Sequence, residues 1–214
     1  MPEAAVVERS QRIEAARAAR REEILASARR VFATRGFRGT TIADIAEDAG
    51  IALGTVYLYF ASKEDVFAAL NQQLHAIIAG ALSRPPGESS SLEQAVRDRI
   101  TDVFEACAAN RDLVRLVVLN ADRESDVSRR LRAANEQSAK PLDRALRRAV
   151  DAGVIRAGDP RIMTKLIIGL VSIAVYQAFV LEEGAGAAAY RDMCIDMVSA
   201  YLRPETETAA TVPV

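Results

Sequence analysis

The sequence predicts an all-α fold in which an N-terminal three-helix unit containing a helix-turn-helix is followed by a larger helical bundle. Three observations carry this prediction. Apolar residues recur at three- and four-residue spacing through the segments from Ile24 to Tyr201, the signature of helices that bury one face. Two helix-start signatures, Thr41 with Asp44 and Ser62 with Asp65, bracket a short stretch that has Gly50 near its middle. Half of the 214 residues are apolar, enough to build one large domain or a small one joined to a medium one.

Taken in order, residues 1–19 are mainly Ala, Arg and Glu with no apolar stripe, and are expected as a flexible basic arm or a frayed extension of the first helix. The first helix then runs to about Arg35, with Ile24, Leu25, Ala28, Val31 and Phe32 on one side. Gly36 stands just past its end and Phe37 beneath the cap. Thr41 and Asp44 start the next helix, since a hydroxyl and a carboxylate at this spacing satisfy its free N–H groups. Ile42, Ile45 and Ala46 form its apolar face, Gly50 supplies a left-handed stop, and Ile51 plugs the corner. The short helix that follows packs through Val56 and Phe60, while Leu53, Gly54, Thr55, Tyr57 and Tyr59 are expected to face outward. Ser62 and Asp65 start a long helix from Lys63 to about Leu82, with Val66, Leu70, Leu74, Ile77 and Ile78 in register.

Beyond the Pro85-Pro86-Gly87 loop, core helices are expected at Ser91 to Ala109 and Leu113 to Leu119. A longer helix over Ser125 to Ala152 contains Pro141, which should kink or interrupt it. The helix from Pro160 to about Leu181 is apolar nearly all round. Its longest apolar run, Leu166 to Leu181, is shorter than the ~20 residues that cross a bilayer, which argues for a buried or interface helix and no membrane. The last helix, about Ala187 to Arg203, joins it in a candidate interface for two copies built from Ile173, Phe179, Tyr190, Met193, Met197 and Tyr201. The alternative is packing within one chain. Residues 204–214 read as a disordered tail.

The formal net charge is −1, yet Arg9 to Arg38 holds nine arginines against three glutamates, so a basic surface is concentrated at one end. Such a surface suits a polyanion, with an affinity that falls steeply as salt rises. Cys107 and Cys194 sit in apolar helical patterns and form neither a disulfide framework nor a metal spacing. With a polar, arginine-rich opening in place of a signal peptide, the expected location is the cytoplasm.

The outward face of the short helix is neither charged nor made of long flexible side chains, which is unusual for a solvated surface. Small and hydroxyl-bearing residues allow a backbone to come close, and phenol groups can donate to phosphate oxygens. The paired Thr40 and Thr41, the Ile-Ala-Asp-Ile-Ala run, Ala49-Gly50, Gly54-Thr55-Val56-Tyr57, Tyr59-Phe60 and Lys63-Glu64 resemble the DNA-binding signature of TetR/AcrR-family transcriptional regulators. With the preceding helix the resemblance covers about the first third of the chain. It implies a homodimer that binds double-stranded operator DNA, usually as a repressor, and lets go when a small molecule fills the C-terminal domain. On this reading residues 20–64 form the DNA-binding domain and 65–203 the effector-binding and dimerisation domain. Leu53 and Gly54 lie against base edges, Thr55, Tyr57, Tyr59 and Lys63 contact phosphates and bases, and Arg38, Thr40 and Thr41 hold the DNA backbone.

The lone histidine, His75, leaves almost no material for triad catalysis or a histidine-rich metal site, so neither an enzyme nor a cofactor is expected. Polar residues interrupting apolar stripes are the candidate effector contacts: His75, Arg115, Asn120, Asn135, Ser138, Tyr176 and Gln177, with Phe104 on the apolar side. They suit a mostly apolar effector such as a drug-like compound, a fatty acid or an acyl thioester, with Arg115 available for an acidic group. Because the helix from Lys63 begins in one domain and ends in the other, it is the expected lever. The rival reading is a helical ligand-binding or scaffolding protein whose helix-turn-helix is only structural.

Overall fold

The structure is a computed structural model describing residues 2–82, 91–120 and 126–204, with side chains placed from residue 7 and, in the third segment, from residue 139. Among these residues the order is α1 (Pro2–Gly39), α2 (Ile42–Asp48), α3 (Leu53–Tyr57), α4 (Lys63–Leu82), α5 (Leu92–Ala109), α6 (Arg111–Leu119), α7 (Asp126–Asp151), α8 (Pro160–Val175), a π-helical segment (Tyr176–Leu181) and α9 (Ala187–Leu202). The Pro/Gly loop after α4 and the expected tail from residue 205 lie outside the described residues.

Capping chemistry sets the boundaries. Thr41 and Asp44 form the anticipated reciprocal box: the Asp44 N–H donates to Thr41 Oγ1 (3.2 Å) and the Thr41 N–H to Asp44 Oδ2 (2.8 Å). Ser62 does the same for α4, accepting from the Asp65 N–H at 3.1 Å. Gly36, at φ 72° and ψ 160°, breaks the helical path of α1 where its end was expected, and Gly50 takes φ 65° at the turn. Of the two expectations for the N-terminal residues, the structure has the helical extension: 2–19 continue α1. Alanine, arginine and glutamate are strong helix formers, and pairs such as Arg12 with Glu8 (2.6 Å) support the turns without a core. Pro141 lies inside an unbroken α7.

One core runs through both domains. Ile24, Leu25, Ala28 and Phe32 of α1 meet Ile42, Ile45 and Val56 of the helix-turn-helix. The cluster continues through Val66, Leu70 and Leu74 of α4 into Val103, Phe104 and Cys107 of α5 and Cys194, Ile195 and Val198 of α9. A relay of rings, Phe32 to Phe37 at 5.4 Å and Phe37 to Phe67 at 5.0 Å, joins α1 to α4 at the corner.

Candidate nucleic-acid interface and effector domain

The recognition unit is held from behind. Arg30 donates to Asp48 Oδ2 at 2.6 Å and Arg35 pairs with Asp44, so two ion pairs fasten α1 to both ends of α2. The Asp44 carboxyl is held below its ordinary range, first by the Thr41 N–H and hydroxyl and then by the Arg35 guanidinium. Against this frame α3 presents Leu53, Gly54 and Tyr57 to solvent, with Thr55 half-buried. A Cβ built on Gly54 would meet nothing within 4 Å, so no neighbour within the chain requires glycine there. Arg38 and Thr41 are exposed on the same unit.

Three expected DNA contacts are placed differently. Thr40 is buried and its hydroxyl donates to the Gly36 carbonyl at 2.8 Å, because the residue closes the break in α1. Tyr59 lies beyond the end of α3, half-buried, with the Arg17 guanidinium 6.0 Å over its ring. The helix stops at Tyr57, and Phe60 reaches the core from beyond the turn that follows. Lys63 donates to the carbonyls of Phe37 (3.0 Å) and Thr40 (2.9 Å), with its ammonium 4.8 Å from the Phe37 ring centroid. That arrangement satisfies carbonyls at the C-terminal end of α1 and commits two of the three N–H groups of the ammonium within the chain.

In the larger domain several of the expected effector residues have partners within the chain. Phe104 is buried against Phe179, their centroids 5.9 Å apart, so both are core. This also removes Phe179 from the expected interface between copies. Arg115 donates to Glu183 Oε1 at 2.8 Å and Asn120 to the Leu116 carbonyl at 2.8 Å, leaving each with a partner inside the chain. Tyr176 and Gln177 are half-buried in the π-helical segment. Asn135 and Ser138 lie on α7 where side chains fall outside the described residues. His75 is half-buried on α4, and its burial holds the imidazole below its ordinary pKa, favouring the neutral form. One turn earlier on the same helix, sequence reasoning missed Asn71, which is 1% exposed and has a buried Oδ1 without a partner. Its position beside Leu70 in an apolar stripe was the available signal.

Between the domains, α6 is fastened at both sides. Asp112 pairs with Arg29 of α1, while Arg111 donates to the Glu183 carbonyl at 2.8 Å and Arg115 to that residue's carboxylate. Glu183 has φ 53°, a left-handed backbone that this clamp helps to hold.

Of the expected interface residues, Ile173, Met193 and Met197 are 52%, 60% and 50% exposed, in line with Ile162 and Leu166 on the same helical stripe. Tyr190 and Tyr201 are half-buried, Tyr190 donating to Glu182 Oε1 at 2.5 Å and Tyr201 lying under Arg156. The 22-residue helical segment Pro160–Leu181 is longer than the apolar run suggested and would suffice, by length and composition, to cross a bilayer.

Comparisons with known proteins agree with this architecture. Residues 24–70 match the family described as "Bacterial regulatory proteins, tetR family", and residues 93–198 match "Tetracyclin repressor-like, C-terminal domain". The fatty acid metabolism regulator protein of Bacillus subtilis is 24% identical over 155 residues, covering 72% of this chain and 80% of that protein. The transcriptional repressor KstR2 of Mycobacterium tuberculosis is 53% identical over 47 residues, 22% of this chain and 24% of that one. Among solved structures, FadR from Bacillus subtilis in complex with stearoyl-CoA superposes with a TM-score of 0.75 at 21% identity, over 85% of this chain and 99% of that one. GusR of Salmonella enterica gives 0.73 at 22% identity, over 86% and 95%. The recognition unit and the bundle are thus both matched, and the chain belongs to the TetR family of helix-turn-helix transcriptional regulators, which are not enzymes.

Proposed function

We propose that this protein is a cytoplasmic homodimeric repressor that binds a palindromic operator and is released from it by a mostly apolar effector. The observation that carries the reading is the exposed face of α3, where Leu53, Gly54 and Tyr57 face solvent while two ion pairs fasten the preceding helix, α2, to α1. Leu53 and Gly54 are assigned to base edges, Thr55 and Tyr57 to the DNA backbone and neighbouring bases, and Arg38 and Thr41 to phosphates. Two copies meet through the exposed stripe of Ile173, Met193 and Met197, and the pair spaces its recognition helices by about one helical turn of DNA, 34–36 Å, or a multiple of it.

For the effector, the solved complex of the Bacillus subtilis regulator with stearoyl-CoA makes long-chain acyl thioesters the first class to test. Within this chain, Asn71 supports a polar contact on α4: an unpartnered buried amide oxygen costs stability unless a ligand donor can reach it. His75, one turn on, belongs to the same wall. The effector acts through its differential affinity for two positions of α4, the helix shared by both domains.

A mobility shift on the DNA flanking the protein's own coding region tests the first half, with a retarded band that disappears as salt rises as the expected result. Adding a saturating acyl-CoA should then weaken operator binding. Asn71→Leu should keep or raise the thermal midpoint while blunting that response. Unchanged operator affinity at saturation with drug-like, fatty-acid and acyl-thioester ligands alike would remove the effector half of the reading.

A further inference from the structure

We propose that α1 carries a second phosphate-binding element outside the helix-turn-helix, formed by Arg17 and Arg21 beside Tyr59, which grips the DNA backbone next to the bases read by α3. It rests on the regulator reading above. Arg21 stands four residues before Leu25 and Arg17 four before that, so both continue the stripe that buries Leu25, Ala28 and Phe32. Here the helix has run past the core, and arginine replaces the apolar residue. Each guanidinium is laid on a ring of the recognition unit: Arg21 is 5.1 Å over Phe60 and Arg17 is 6.0 Å over Tyr59.

A guanidinium held over a ring can still use its N–H edges, the edges that match a phosphate bidentately. The rings also restrict long side chains that would otherwise lose rotamer freedom on binding. Arg17, Arg21, Tyr59, Ala18 and Glu14 line a cleft of about 360 Å³. Tyr59 is two residues beyond Tyr57, the end of α3, so the cleft adjoins the recognition face. The carboxylates near the two guanidinium groups are Glu14 in the cleft and Glu22, 3.6 Å from Arg21; Arg20 and Glu23 pair with each other at 2.6 Å. Charge complementarity and continuity with α3 select the phosphodiester backbone of double-stranded DNA as occupant. The family match begins at residue 24, so the element precedes the segment by which the family is defined.

The test is a salt titration of operator affinity with the full chain. Substituting Arg17→Gln and Arg21→Gln together should reduce the slope of log affinity against log salt by about 3.6 for the dimer, since two phosphates per copy are no longer neutralised and each removes close to 0.9. Preference between operator and mutated operator should stay as it was, and trimming the duplex to the base pairs under α3 should erase the difference from wild type. Glu14→Gln should act in the opposite direction, tightening binding, a gain that misfolding does not produce. An unchanged slope in the double variant together with no gain from Glu14→Gln would overturn the proposal while leaving the regulator reading intact. Failure of the wild-type protein to bind any duplex in a salt-dependent way would instead remove that reading, and this proposal with it.

Discussion

Gly54 sits in the first turn of α3 with open space where a side chain would be, so its identity answers to something outside the chain. Gly54→Ala should therefore fold normally and gain up to about 1 kcal/mol of helix stability. Its effect belongs on DNA: the relative affinities for operator variants should change, as read by competition binding, while salt dependence stays the same. Lys63 makes the converse case. Lys63→Met should lose about 1.5 kcal/mol, the low end for hydrogen bonds to a charged group because the ammonium is only half-buried. Operator affinity should fall with it at an unchanged salt slope, since its N–H groups face carbonyls. A slope reduced by about 1.8, one phosphate in each of two copies, would place Lys63 on phosphate after all. Thr40 and Lys63 show where residue types stop being informative. A threonine and a lysine in a DNA-binding signature read as backbone contacts, and only the break at Gly36 reveals carbonyls that need them first.

At the scale of elements, α4 links the two domains and carries a titratable group in the middle. His75 is neutral in the fold because burial lowers its pKa, whereas in the unfolded chain it takes up a proton near its ordinary value of 6.5. Its contribution is therefore neutral well above pH 6.5 and becomes destabilising as pH falls through that value, where the unfolded state gains the proton more readily than the fold does. Denaturant unfolding between about pH 7.5 and 5.5 should show this fall in stability, and His75→Asn should flatten the curve. The helix starts were legible because each depends on two local residues: Thr41 with Asp44 and Ser62 with Asp65. The end of α3 was not. Whether the helix stops at Tyr57 or continues to Phe60 depends on how the chain returns to the core, a tertiary matter. The clamp of α6 on Glu183 was equally hidden, since its partners lie 72 and 68 positions apart in the sequence.

Across the whole molecule, the exposed stripe on α8 and α9 is the feature that a single chain leaves unexplained. Ile173→Asp with Met193→Asp should convert the proposed dimer to a monomer in sedimentation velocity and lower operator affinity by more than about tenfold. Two half-sites held by one rigid pair bind far more tightly than two separate copies. Because both residues are exposed in the single chain, the monomer's thermal midpoint should move little. A dimer that survives both changes would place the interface elsewhere. The split into a recognition unit and a bundle was readable from capping and periodicity. The internal partners of Arg115, Asn120 and Phe104 were not, because no spacing announces them.

The two bonds from Lys63 end on main-chain oxygens, which every residue type supplies. The attachment between lever and corner is thus indifferent to the side chains at 37 and 40 as far as those bonds go. A reading head with another operator preference, transplanted as residues 41–60, would plug into the same socket. The bundle could then be kept as a ready-made sensor and wired to a different promoter by exchanging about twenty residues.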